Sequence, residues 1–427
     1  MKNLFNYDLI VVGGGTSGCS AAYNASKLGL KTLLVEKNNF LGGLMTGGLV
    51  VPVMKSSVKD VNCDYYKKLV STAKKFNAQI TYKDKNDGWF NPEVLKIVLD
   101  DILFSDEIRK NLDILFETTV KEVEVSNKKI SKIILATNSS TITLCADNFI
   151  DCTGNADVCL LSGCEFISNN DEVQKNSLRF VVGNVNIEKF SEFIKQIDND
   201  ENITNTYRND TNTKGILHFT TASTSDTTKI WNVDKILKKA VDDGVLLNED
   251  RDYFQIFSVA GSTNQVAFNC PRINNFKDNP FKASLELIYA RKAIYRLFNF
   301  VKKYFVGFEN AEIVNIASQT GVREFRRVKT KYIYNMNDLT TGKKFDTPVL
   351  MANYPIDVHS DKNSSTITKK DISYELPIEA LMSYDVDNLF VAGKIIGADF
   401  VSHSALRVQK SCMSMAEGVV KYICKNK

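Results

Sequence analysis

At 427 residues the chain is long enough for two domains, each with its own core, at about 150 residues per domain. Its 54 Lys and Arg side chains nearly cancel 50 Asp and Glu, leaving a formal charge of +4 that argues against nucleic acid or an anionic membrane as partner. Nine cysteines without a C-x-x-C pair exclude a zinc ribbon or a thioredoxin-type redox pair, so no metal is expected. No apolar run approaches the about 18 residues of a membrane-spanning helix. The first apolar run ends at once in a glycine loop, so no secretory leader is expected and the protein reads as cytoplasmic, with reduced thiols.

That first run, residues 7–12, is a short strand leading into Gly13-Gly14-Gly15-Thr16-Ser17-Gly18, a G-x-G-x-x-G pattern. A helix follows over 19–28, stopped by Gly29, and a second apolar strand over 31–35 ends on Glu36. Each piece has a physical task. Gly13 permits a tight turn, Gly15 lets the backbone approach a pyrophosphate, and Gly18 lets the helix pack closely on the strand. The helix N-terminus offers N–H groups and a positive dipole end to phosphates. Glu36 is placed to accept hydrogen bonds from ribose hydroxyls. Strand, glycine loop, helix and acid in that order imply a dinucleotide, FAD or NAD.

Glycine pairs at 42–43 and 47–48 suit a loop wrapped around a ligand. Asn91-Pro92-Glu93 opens a helix with an N-cap, a proline in the first turn and an early acid. Residues 112–116 read as a further strand. Residues 118–145 alternate as a three-stranded antiparallel meander with turns at 126–129 and 138–140, returning through 148–152. The polar stretch 198–213 reads as a surface loop, and 283–305 as an amphipathic helix. An apolar strand at 388–393 precedes a loop and a last helix over 404–424. A sheet strand so late predicts a discontinuous nucleotide-binding domain, 1–166 and 381–427, with 167–380 inserted as a substrate or cap domain. The fold class is α/β, a Rossmann-like sheet with a β-meander, plus an inserted mixed α+β domain.

Several segments resemble the FAD-dependent oxidoreductases of the glutathione-reductase and fumarate-reductase type. They are the N-terminal fingerprint, the run Phe149-Ile150-Asp151-Cys152-Thr153-Gly154-Asn155-Ala156-Asp157, and Gly321-Val322-Arg323-Glu324-Phe325-Arg326-Arg327. Residues 354–359 and 388–413 are similar to a bacterial subgroup whose substrates are largely unassigned. Cys152 and Asn155 depart from that subgroup but leave the Thr-Gly turn in place. The resemblance implies FAD held by Gly13, Gly15, Thr16, Ser17 and Gly18, by Glu36 and Lys37, and by Gly42 and Gly43. Val120, Thr153, Gly154, Gly393, Ala405 and Leu406 complete that expected contact set.

A second G-x-G-x-x-G for NAD(P)H is not found, so the redox partner stays open. The chain has three histidines, His218, His359 and His403. By the resemblance, His403 opens the last helix beside the flavin, with Arg407 one turn on, and either acts as general acid or base or tethers the loop backbone. Arg323 or Arg327 would clamp a substrate carboxylate. For His359, with Asp357 two residues before it, a structural turn role is expected. Cys19 and Cys412 also fall near the expected cofactor site, with packing as their expected role. The leading reading is an FAD-dependent dehydrogenase or reductase passing a hydride between flavin and a small, anionic substrate. A nicotinamide dehydrogenase, a non-catalytic or electron-transfer flavoprotein, and a flavin-dependent RNA-modifying enzyme are the alternatives.

Overall fold

Leu9, Ile10 and Val11 have no exposed surface, so the first strand is apolar on both faces, as a central parallel strand must be. In the computed structural model, which describes residues 5–54, 61–82, 88–168, 173–208, 215–225, 229–276, 279–359, 364–367 and 373–427, this strand is β1 (Phe5–Val12). It leads into α1 (Thr16–Lys27) and β2 (Thr32–Val35). Helix α2 (Pro92–Leu103) begins as its sequence requires: the Asn91 side chain accepts from the Glu93 and Val94 N–H groups, with Pro92 in the first turn. Strand β3 (Leu112–Leu115) then pairs in parallel with β2.

The meander is β4 (Thr119–Ser126), β5 (Lys129–Ala136) and β6 (Thr141–Asp151). Asn127 and Lys128 turn the first hairpin with φ of 51° and 59°, the left-handed pair a two-residue hairpin loop needs. Its third strand and the returning sheet strand prove to be one. The start of β6 pairs antiparallel with β5, and the strand runs on in parallel beside β1, matching Val12 with Asp151. The sheet order is β3-β2-β1-β6-β5-β4.

A second, antiparallel sheet is built from the middle of the chain. Its strands are β7 (Phe180–Gly183), β8 (Thr204–Arg208), β9 (Leu217–Thr221), β10 (Ile256–Ser258), β11 (Val266–Phe268) and β12 (Glu312–Ile316). They lie in the order β8-β9-β10-β11-β7-β12. Part of the expected loop 198–213 is therefore strand: residues 204–208 pair with β9 along their whole length. Residues 198–203 are turn and irregular chain as expected, and 209–213 lie outside the described residues. Helix α3 (Pro280–Tyr304) packs Ala290, Ile294, Leu297 and Phe300 into a core rich in phenylalanine, where Phe180 and Phe268 stack at 4.3 Å between ring centroids.

Strand β13 (Leu389–Val391) joins the main sheet in parallel with β6, pairing Val391 with Asp151. The expected last helix is two: α4 (Phe400–Leu406) and α5 (Gln409–Lys425), separated where Val408 takes an extended conformation. Core membership does not follow one cut in the chain. Leu49, Val51, Ile80 and Trp89 pack with the second sheet, whereas Tyr334, Leu350, Tyr374 and Leu376 join the core that α1 and α5 form on the main sheet.

Candidate functional site

The turn after β1 is held by close backbone contacts. Gly13 has φ of 101°, and a Cβ there would lie 2.4 Å from the Cys152 carbonyl oxygen. A Cβ on Gly18 would lie 1.7 Å from the Gly13 oxygen, so side chains at either position would push helix and strands apart. Gly15, by contrast, meets only the Gly43 Cα at 3.9 Å, and that open side faces a cavity of about 530 Å³. The first turn of α1 ends on this cavity through Thr16 and Ser17, whose helix terminus favours anionic oxygens. Lys37, Gly43, Val120, Thr153, Gly154 and Gly393 line it too.

Glu36 reaches the cavity but is already engaged. One carboxylate oxygen accepts from the Gly14 N–H at 2.6 Å, and the other from the Asn38 N–H at 2.9 Å and the Asn38 side-chain amide. The acid therefore braces the phosphate loop, with remaining lone-pair capacity toward a ribose. Lys394, which the sequence reading missed, lines the cavity and donates to the Gly154 carbonyl at 2.5 Å. Burial, with repulsion from Lys37, lowers its amine to about 8. Its only sequence signal was its place after Val391-Ala392-Gly393. The glycine cradle, and two cavity-lining residues that each carry a buried polar atom without a partner among the described residues, Gln409 (Oε1) and Arg407 (Nε), match what a dinucleotide with polar edges requires.

Other expected contacts do not reach the cavity. Gly42 acts one step back, its N–H donating to the Gly14 carbonyl at 2.8 Å. Ala405 and Leu406 have no exposed surface and belong to the main core, because α4 turns that face inward. His403 does not open a helix: Asp399 caps α4 and Phe400 starts it. The ring is fully buried, its Nε2 2.7 Å from the Lys394 carbonyl. Since a carbonyl only accepts, Nε2 carries the proton, and burial drives the ring's titration down to about 3. A general acid working near neutral pH is not available there. The helix that does begin at the cavity is α5, through Gln409 and Cys412. Burial pushes the Cys412 thiol up to about 12, and that of Cys19 likewise, so both stay protonated.

The three arginines after Gly321 separate. Arg327 is committed to Glu324, Nε to Oε1 at 3.0 Å, and to the Ala398 carbonyl at 2.7 Å. Arg326 donates to the Asn155 carbonyl and stacks on Phe325. Arg323 does not line the cavity, although its neighbour Val322 does; it donates to the Lys175 carbonyl at 2.8 Å. Arg407 does line the cavity and approaches Asp357 Oδ2 at 3.5 Å. His359 sits on the other oxygen of Asp357 at 3.1 Å.

A family model described as FAD dependent oxidoreductase matches residues 8–421. Curated relatives match over shorter stretches. Mitochondrial glycerol-3-phosphate dehydrogenase of Rattus norvegicus is 34% identical over 74 residues, 16% of this chain and 10% of that protein. A tRNA uridine 5-carboxymethylaminomethyl modification enzyme of Karelsulcia muelleri is 32% identical over 136 residues, 29% of this chain and 21% of that protein. The matched stretches thus span only 10% and 21% of those relatives' length. A geranylgeranyl bacteriochlorophyll reductase-like structure from Thermoplasma acidophilum aligns with a TM-score of 0.46 and 13% identity, over 99% of this chain and 78% of that one. No helix among the described residues is long and apolar enough to cross a membrane. FAD is the cofactor this phosphate loop is built for, and the chain belongs to the FAD dependent oxidoreductase family.

Proposed function

We propose that the protein passes a hydride between bound FAD and a small anionic substrate held beside Arg407. One observation carries this reading: Arg407, with a buried Nε that no group among the described residues satisfies, lines the same cavity as the dinucleotide loop. FAD supplies the redox chemistry when bound. The chain's own groups bind and orient. The α1 terminus and Lys394 favour the pyrophosphate, and a bound phosphate in turn favours the cationic form of Lys394. The terminus of α5 favours negative charge at its end of the cavity. Arg407 offers a planar fork to a carboxylate or phosphoryl group, which fixes orientation as well as charge. His403 holds the Lys394 backbone in place and takes no part in proton transfer. The nucleotide-binding unit in this proposal comprises the main sheet with β13, α4 and α5.

The test is direct. Purified protein should be yellow, and acid precipitation should release all its FAD into the supernatant. After anaerobic photoreduction, small carboxylates and phosphorylated compounds that carry a reducible C=C or C=O bond should reoxidise the flavin, and their uncharged amide or dephosphorylated counterparts should not. Equal reoxidation by amides and acids would defeat the anionic-substrate reading.

A further inference from the structure

Arg407 is not alone. Arg179, just before β7, Arg272, in the short strand Arg272–Ile273, and Arg323 come from separate parts of the chain. Arg272 contacts His359, which shares Asp357 with Arg407; Arg323 donates to the Lys175 carbonyl, next to the Gln174 that Arg407 reaches; and Arg179 is near enough to repel Arg323. Their protein partners are too few. Arg179 is 6% exposed and makes one long bond, to the Leu49 carbonyl at 3.4 Å, with its Nε unpartnered. Arg272 lies 3.8 Å over the Tyr253 ring and contacts His359 Nδ1 at 2.7 Å, and its Nε also has no partner. Arg407 donates to Gln174 Oε1 and the Asp357 carbonyl, both at 3.0 Å.

The negative side is short. His359 Nδ1 accepts from Arg272, so the proton sits on Nε2 and is given to Asp357: the ring is neutral and adds no charge. Burial, then repulsion from Arg323 and Arg272, holds it neutral, its titration lowered to about 4. For Asp357 burial acts upward, but the His359 bond and the charges of Arg407 and Arg323 outweigh it and hold the carboxyl well below the usual range. Asp252, which also acts on Arg272, is solvent-exposed, and Glu324 is paired with Arg327. Burial pushes the Tyr354 phenol up, so it stays neutral. Burial, then repulsion from Arg272, Arg407 and Arg179, lowers the Arg323 guanidinium to about 9. Among the described residues, four cations, one buried (Arg179) and three partly buried, face one partly buried carboxylate, Asp357, so positive charge is in excess by three. Like charges partly withdrawn from water repel one another unless an anion joins them.

We infer that the arginine cluster of Arg179, Arg272, Arg323 and Arg407 is a binding site for a small molecule bearing two or more negative charges, a dicarboxylate or a phosphate ester. This rests on the proposed hydride-transfer reading only for the identity of the ligand as substrate. Asp357 and His359 are positioning residues that aim Arg407 and Arg272, and Gln174 holds the same Arg407 nitrogen that meets Asp357.

The test uses the FAD-loaded protein and reads thermal midpoint and flavin absorbance during titration at constant ionic strength. The probes are malonate, inorganic phosphate, acetate and chloride. Malonate or phosphate should raise the midpoint and perturb the flavin band at least tenfold below the concentration at which acetate acts. Which of the two acts distinguishes a carboxylate ligand from a phosphoryl one. Arg179→Gln and Arg272→Gln should weaken that binding at least tenfold while FAD stays bound, and Arg272→Lys should fall between. Arg208→Gln, which touches only the exposed Glu188 pair and the Gly215 carbonyl, should bind as the parent does. If neither dianion outperforms acetate, or if both glutamine variants bind normally with FAD retained, the inference fails. If a dianion binds tightly and no anion ever changes the flavin's oxidation state, the anion site stands and the hydride-transfer reading falls.

Discussion

His403 shows how one hydrogen bond decides a residue's task. Its Nε2–H donates to the Lys394 carbonyl, and that loop carries the amine at the cofactor cavity. Nδ1 has no partner and sits in a fully buried site. A leucine there would leave the carbonyl buried and unpaired, at a cost of about 1–3 kcal/mol. We therefore expect His403→Leu to lower the unfolding free energy by that amount and to shed FAD, as read by denaturant titration and flavin fluorescence. His403→Gln keeps an N–H donor and should recover most of both. The pH profile of turnover between 6 and 8 should be the same in His403→Gln as in the parent, since the buried ring does not titrate there. A profile that lost one limb would return His403 to proton transfer.

At the scale of elements, the late strand β13 depends on the residue before it. Asn388 Oδ1 accepts from the Ile130 N–H at 2.8 Å, while its amide donates to the Ile130 and Asp147 carbonyls at 3.1 and 3.2 Å. One buried side chain thus ties β13 to the meander and to β6. Asn388→Ala would strand the Ile130 N–H and carbonyl together, where each unpaired buried group costs about 1–3 kcal/mol. The expected result is a lower thermal midpoint with weakened FAD retention, because β13 leads into Gly393 and Lys394. Unchanged FAD affinity in a destabilised variant would show that the sheet edge and the cavity are uncoupled. Elsewhere the elements were legible where local chemistry fixed them. Asn91-Pro92 starts α2 at its predicted place. The split between α4 and α5 was not legible, because the extended turn at Val408 answers to packing on both sides rather than to a breaker residue.

Across the whole molecule, His218 and His403 are buried and His359 partly buried, and burial holds all three rings neutral. Burial lowers His218 and His359 to about 4 and His403 to about 3, against 6.5 when exposed. The folded values lie below the unfolded one, so between about pH 6.5 and 4 the unfolded chain binds more protons. Stability is therefore full above that window and is lost as pH falls through it, by up to about 1.4 kcal/mol per pH unit for each histidine. His218 offers the cleanest check. It lies in β9, with Nδ1 3.2 Å from Ser258 Oγ, remote in sequence from the residues lining the cavity. Urea unfolding of His218→Phe between pH 7 and 5 should show a slope shallower by about one proton than the parent. Identical slopes would mean that the ring is protonated in the fold.

What the sequence determined by itself was local and periodic: the strand, glycine loop, helix and acid from β1 to Glu36, the hairpins of the meander, and the N-cap of α2. These are set by neighbours a few residues away, through turn geometry, capping and apolar spacing. Tertiary structure alone decided that β6 is one strand serving two pairings, and that Glu36 spends most of its carboxylate on its own loop. It alone separated Arg323 and Arg407 from Arg327, which lay equally close in sequence to the matching motif. Charge compensation is a property of space: Glu324 neutralises Arg327, whereas residues 272, 323 and 407 gather at one Asp357, with Arg179 acting on Arg323, from segments that no spacing rule connects.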